Sequence, residues 1–295
     1  MSSRHPVVVL PFAGHHVELE LIDRRSRSYE IDVDGIPQSV VSLREPRMLE
    51  WPYVRHIARA IDGCAPSGQP LRLVHLGAGG LTLPRYAAVT RPGSPQLVVE
   101  LSEEFAQAVV AALPLPEGTS LRFAFGDARA VAEQAPDAVG WHPADVTVVD
   151  LWEAAVISAR VASLEFYSLV AARSAPSGLV AVNLLDGADH RYARAQAATL
   201  GAVFEHVAVV LEAMPDPTTP PGNVVVFASA SPLGFMESGD WLSSERSIGR
   251  DPRVLRGAEL EDWIDGAAVV TDATAIDSPA LDDPRFADAV FRDDD

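Results

Sequence analysis

The chain contains no lysine: all 23 of its basic residues are arginine. Schiff-base chemistry and a Walker-type phosphate lysine are thereby excluded by inventory. Cysteine is almost absent too, and the single Cys64 can form neither an intrachain disulfide nor a CxxC metal or redox site, which fits a reducing compartment. Long apolar runs are missing near the start. Val7 to Leu10 is bounded by Pro6 and Pro11, too short for a signal-peptide core or a membrane span, so a cytoplasmic protein with no membrane partner is expected. Positive charge is scarce, with a net charge of -18, which disfavours binding to a phosphate backbone and argues against a nucleic-acid partner. The same charge serves general solubility or draws in a cationic substrate. The eight histidines show no HExxH or comparable spacing, and no G-x-S-x-G elbow occurs, so neither a metal nor a serine nucleophile is expected. His15, His16 and His142 read as loop residues.

What is present is enough apolar content, 48% of 295 residues, for a full core and a smaller appendage. Val17, Leu19 and Leu21, then Tyr29, Ile31 and Val33, alternate with acidic residues at the period of half-buried strands. With turns at Arg24 to Ser28 and Asp34-Gly35 and a third strand at Gln38 to Leu43, the start reads as an antiparallel meander. A helix carrying Tyr53, Val54, Ile57, Ala58 and Ile61 follows, with Pro46 near its start and Pro52 marking a break or a fresh start. Ala65 to Pro70 reads as a linker, giving an N-terminal domain over 1–66 and a catalytic-type domain over 67–295.

Beyond it, short apolar strands alternate with helical stretches, the pattern of a parallel sheet covered on both faces. Strands are expected at Leu71 to Leu76, Gln96 to Glu100, Leu121 to Phe125, Val146 to Asp150, Leu179 to Leu184, His206 to Leu211 and Asn223 to Ala228. The last two are separated by a Pro- and Thr-rich stretch rather than a helix, so they are expected to pair antiparallel. The fold class is therefore α/β, a class I S-adenosylmethionine methyltransferase-like seven-stranded sheet behind a small N-terminal antiparallel β-domain. The remainder is an acidic tail with a helix around Glu259 to Ile264.

In such sheets the ligand sits beyond the carboxyl ends of the strands. Gly77, Gly79 and Gly80, in LGAGGLTLPR, follow the first of these strands and precede a helix, where glycines admit a close ligand or merely pack strand against helix. Glu100 ends the next strand, where an acid accepts from two ribose hydroxyls. A dinucleotide fingerprint wants a third glycine where this chain has Thr82, so NAD is the lesser reading. Asp127 follows the third strand, as an acceptor for an adenine amino group, as a helix N-cap, or both. Asp150 ends the fourth in VVDLWE with Glu153 three residues on, either an acidic pocket for an ammonium group with one carboxylate as general base, or an N-cap and a solvated glutamate.

Together these residues resemble the spermidine synthase (polyamine aminopropyltransferase) family from about Val17 to the last strand of the sheet. The family's GGGDGG-type turn, VEID-type acid, GD pair and D-x-x-D segment correspond to LGAGGL, VVELS, Gly126-Asp127 and DLWE, the last running without a gap to Glu165, Phe166 and Tyr167. DGIPQ, Asp34 to Gln38, is similar to the family's DG-x-x-Q hairpin. The resemblance implies decarboxylated S-adenosylmethionine as co-substrate, a small-molecule amine as acceptor and a homodimer. It also implies Gln38 at the nucleoside or amine pocket and Glu50, in the helix after the meander, at the family's pocket-facing position. Asp150 would be the general base and Glu153 the anchor of a distal ammonium. Glycine at about Gly80 replaces the family's aspartate, which makes room for the carboxylate of intact S-adenosylmethionine. Glu153 replaces the second aspartate, AAVIS replaces P-x-G-P, and Trp152 either stacks on a substrate or fills the space a diamine would use. Aminopropyl transfer leads, with a methyltransferase or a non-catalytic binding protein as alternatives.

Overall fold

The computed structural model describes residues 7–12, 14–152, 156–187, 189–212, 222–236, 241, 243, 245 and 252–279. Its contacts divide the chain into two compact units, 1–140 and 141–295.

In the first unit, strands β1 (Val7–Leu10), β2 (Val17–Asp23), β3 (Ser28–Val33) and β4 (Ile36–Ser42) form an antiparallel sheet in that order. Its inward register pairs Val17 with Val33 and Leu19 with Ile31, so the alternation read from the sequence becomes one apolar face. Asp34 and Gly35 both have positive φ (54° and 83°), the two-residue turn whose twist suits a hairpin. The Asp34 carboxylate accepts from the His16 amide and pairs with the His15 ring at 2.6 Å, contacts that hold its pKa below the usual carboxylate value. Helix α1 runs over Pro52–Gly63. It starts at Pro52, where a missing N–H costs nothing, and not near Pro46, so Glu50 lies before the helix rather than within it.

Three parallel strands follow, β5 (Leu73–Leu76), β6 (Gln96–Glu100) and β7 (Leu121–Phe125), alternating with α2 (Thr82–Thr90), α3 (Glu103–Ala112), α4 (Ala128–Glu133) and α5 (Pro136–Val139). Leu10, Val17, Leu19, Ile31, Val33 and Val41 of the meander share one core with Leu81, Val98, Phe105, Val109 and Leu113. The Pro- and Gly-containing stretch before β5 is held by buried Arg91, whose guanidinium donates to the carbonyls of Asp62, Ala65, Pro66 and Gln69.

The second unit has β8 (Ala144–Val149), α6 (Leu164–Ala171), β9 (Ser174–Asp186), α7 (Arg191–Gly201), β10 (His206–Leu211), β11 (Gly222–Ser229), β12 (Arg253–Arg256) and α8 (Ala258–Ile264). β8 and β9 are parallel, β9 pairs antiparallel with β11, and β11 pairs antiparallel with β10, as the missing helix between the last two strands implied. The unforeseen strand of this unit is β12, as β1 is of the first. Its four residues add to the β10 edge, so the described strands outside the meander exceed the expected seven by one. Phe166 and Tyr167 are buried, and the Tyr167 hydroxyl donates to Gln196. Among the described residues, no helix is long and apolar enough to cross a membrane.

Candidate functional site

The turn after β5 is built from conformations that only glycine adopts cheaply: φ is +93° at Gly77 and +46° at Gly79. Gly80 is required for a different reason. A Cβ there would stand 2.7 Å from Val41 Cγ2 and 2.9 Å from Ser39 Cβ. The space expected at this position for a co-substrate carboxylate is therefore filled by β4, which corrects the reading that glycine leaves room. Ser39 Oγ accepts from the Gly80 amide at 3.0 Å, and Thr82 Oγ1, at the position that argued against NAD, donates to the Val40 carbonyl at 3.2 Å. The turn is braced from the other side by Arg85. This residue is 2% exposed and donates to the carbonyls of Gly80 (3.1 Å), Pro114 (2.7 Å) and Leu113 (2.5 Å), tying the turn to the C-terminal end of α3. Burial pushes its pKa down to about 10, which leaves it charged at neutral pH.

Glu100, at the end of β6, is 9% exposed. One carboxylate oxygen accepts from the Ala78 amide of the glycine turn at 2.9 Å and the other from the Ser102 amide at 3.0 Å. An ionised carboxylate has about four acceptor positions, so each oxygen keeps capacity for a hydroxyl after this bracing. Asp127 caps α4 by accepting from the Ala130 amide at 2.9 Å, so the N-cap role is realised. Two large apolar side chains missed in the sequence flank these acids: Leu101, 59% exposed, directly after Glu100, and Phe125, 38% exposed, opposite Glu100 in the β6–β7 ladder. Apolar residues at strand ends beside acids were the signal available for them. In the same unit, Gln38 is half-buried at a bulge where Ile31 pairs with Ser39 and Asp32 with Pro37. Ser39, next to it, makes the contact with the turn. Glu50 is exposed, and its backbone carbonyl accepts from Arg55.

In the second unit, Asp150 follows β8 and is half-buried. Its Oδ1 accepts from the Trp152 indole N–H at 2.7 Å and from the Asn183 side-chain amide at 2.8 Å. Trp152 thus directs its one polar group at the carboxylate. Glu153 lies outside the described residues. Among the described residues no cluster of three or more His, Cys, Asp or Glu is placed to hold a metal ion.

No protein-family model matches the sequence, and no curated protein matches it. Solved structures do. The structure of a probable spermidine synthase from Corynebacterium glutamicum is 27% identical and superposes with a TM-score of 0.79, covering 90% of this chain and 96% of that one. The spermidine synthase of Thermotoga maritima is 15% identical with a TM-score of 0.52, covering 76% of this chain and 73% of that one. A spermidine synthase in complex with the transition-state analogue AdoDATO is 14% identical with a TM-score of 0.53, covering 76% and 72%. The expected class I S-adenosylmethionine methyltransferase-like α/β fold with an N-terminal antiparallel sheet is thereby established.

Proposed function

We propose that this chain, a spermidine synthase-like family member by its structural likeness, is a transferase that passes the aminopropyl group of decarboxylated S-adenosylmethionine to a small amine. The observation that carries the reading is Glu100: a nearly buried carboxylate, oriented by backbone amides on both oxygens, at the edge of a glycine turn and between exposed Leu101 and Phe125. That combination suits a nucleoside, with hydroxyls for the acid and an aromatic base for the apolar side chains. The net charge of -18 suits a cationic co-substrate and a cationic acceptor.

The co-substrate supplies a carbon made electrophilic by its sulfonium. The amine lone pair forms the new N–C bond as the C–S bond breaks, and that electron pair returns to sulfur, leaving a neutral thioether. An aliphatic amine near pKa ~10 is mostly protonated at neutral pH, so a proton must leave before attack. Asp150 is the residue we assign to accept it, and Glu153 the one to hold a distal ammonium.

Methyl transfer from intact S-adenosylmethionine is the second reading. It is favoured by one feature: at position 80, where the resembling family has an acid for the aminopropyl end, this chain has a glycine, which carries no charge to repel the carboxylate of intact S-adenosylmethionine. Calorimetry with S-adenosylmethionine, its decarboxylated form and methylthioadenosine, followed by transfer assays with putrescine, spermidine and cadaverine, tests the choice. Preference for the decarboxylated form and product from an amine are expected. Preference for intact S-adenosylmethionine with no aminopropyl product would replace the proposal with the methyltransferase reading.

A further inference from the structure

Asp150 stands at the head of a chain of side-chain amides. Asn183, on β9 and 2% exposed, donates from Nδ2 to Asp150 Oδ1 at 2.8 Å, and Asn223, on β11, donates from Nδ2 to Asn183 Oδ1 at 3.1 Å. The direction of the chain is fixed by chemistry: a carboxylate only accepts, so Asn183 must turn its NH₂ toward Asp150 and its carbonyl toward Asn223, which must then donate. The strands set the positions. Val149 is opposite Val182 in the parallel β8–β9 ladder, bringing residue 150 level with Asn183. In the antiparallel β9–β11 ladder Asn183 is opposite Val225, so Asn223 is its diagonal neighbour on the same face. Two amides among the valines and leucines of these strands have a cost in burial that only a completed chain of hydrogen bonds offsets.

The second donor to Oδ1 is the Trp152 indole N–H at 2.7 Å. With Asn183 and Trp152 both on Oδ1, the two lone pairs of that oxygen are occupied. We infer that Asn183, backed by Asn223, is a positioning residue that fixes the orientation in which the Asp150 carboxylate takes the substrate proton. This rests on the reading of Asp150 as the base. Asn183 touches no reacting atom and acts through Asp150. Removing its donor takes away the contact that ties Oδ1 to β9, which lowers the rate of proton transfer without altering nucleoside binding.

Two arms test it. In two-dimensional ¹⁵N–¹H spectra, Asp150→Ala should move the Asn183 side-chain amide and the Trp152 indole signals together, because both donate to one atom. Movement of only one, or of neither, overturns the shared-acceptor geometry. In the transfer assay, Asn183→Leu should lower kcat on the order of 10- to 100-fold, the scale of misplacing a reacting group, with the KM for the co-substrate changed by no more than about 2-fold. Asn223→Val should lower kcat less and in the same direction, and it serves if Asn183→Leu fails to fold. In an Asp150→Asn background either substitution should change the residual rate by no more than about 2-fold, since a residue acting through Asp150 has nothing left to act on. Equal losses in both backgrounds would show a structural role and overturn the inference. If the wild-type chain transfers nothing to any amine, the proposed function fails, while the spectra still decide the relay.

Discussion

Ser39 Oγ accepts the Gly80 amide proton at 3.0 Å, so β4 of the meander is hydrogen-bonded to the glycine turn of the candidate nucleoside site. The contact is close enough to forbid a side chain, since a Cβ on Gly80 would stand 2.7 Å from Val41 Cγ2. Gly80→Asp should therefore destabilise the protein by about 1–3 kcal/mol, the scale of overpacking. The measurement is urea unfolding, and Val41→Ala should recover part of the loss. An Asp variant as stable as the wild type would show that β4 moves aside.

Glu100→Gln should weaken methylthioadenosine binding by about 1–3 kcal/mol, the scale of hydrogen bonds to a charged group. Glutamine keeps one acceptor oxygen but turns an NH₂ toward either the Ala78 or the Ser102 amide, so the turn loses one of its two anchors. Isothermal calorimetry on folded variant reads the change, and unaltered affinity would remove Glu100 from the site.

Asp150→Asn is a conservative probe, because the asparagine oxygen can still accept from Trp152 and Asn183. Nucleoside affinity should stay close to wild type while transfer falls by at least about 10²-fold, the lower range for a positioned general base. Full turnover with an amine acceptor would show that the proton goes elsewhere.

His75 is 2% exposed on β5, with Nε2 against Gln96 Oε1 at 2.9 Å, and burial pushes its pKa down from 6.5 to about 4. Between those two values the unfolded chain binds a proton that the folded chain refuses, so stability falls as pH drops from about 6.5 toward 4 and is constant in this respect above 6.5. The full effect is about 3 kcal/mol. Denaturant unfolding at several pH values should show a shallower acid loss for His75→Leu than for the wild type, and parallel curves would mean that His75 protonates without unfolding.

Periodicity located most strands because their burial is regular: Gln96–Glu100, Leu121–Phe125 and His206–Leu211 have the ends expected from their apolar runs. The failures have local causes. Strand β12 has four residues, two of them arginine, and only its pairing with β10 makes it a strand. Strand β9 begins at Ser174, through a proline and a glycine that end most strand patterns. The acids at the strand ends were legible because each follows an apolar run. Asn183 and Asn223 were not, since an amide inside a buried strand reveals its role only when the neighbouring strands show which carboxylate it serves. Filling of the space at Gly80 was equally hidden, because the atoms that fill it come from 39 and 41, about forty residues away in sequence.

By composition the stretch from Ala65 to Pro70 is a swivel, yet Arg91 makes it a splint. Its one guanidinium spans the carbonyls of Asp62, Ala65, Pro66 and Gln69, four acceptors reaching from the end of α1 into the segment after it. A flexible loop absorbs extra residues for a small entropic cost. Here an added residue would pull at least one carbonyl off the fork and leave a buried cation short of an acceptor. Lysine, with a single compact ammonium, could not span the same set. The length of this short segment is thus fixed by a side chain more than twenty residues downstream, and insertions that would pass unnoticed in an ordinary surface loop should be rejected here.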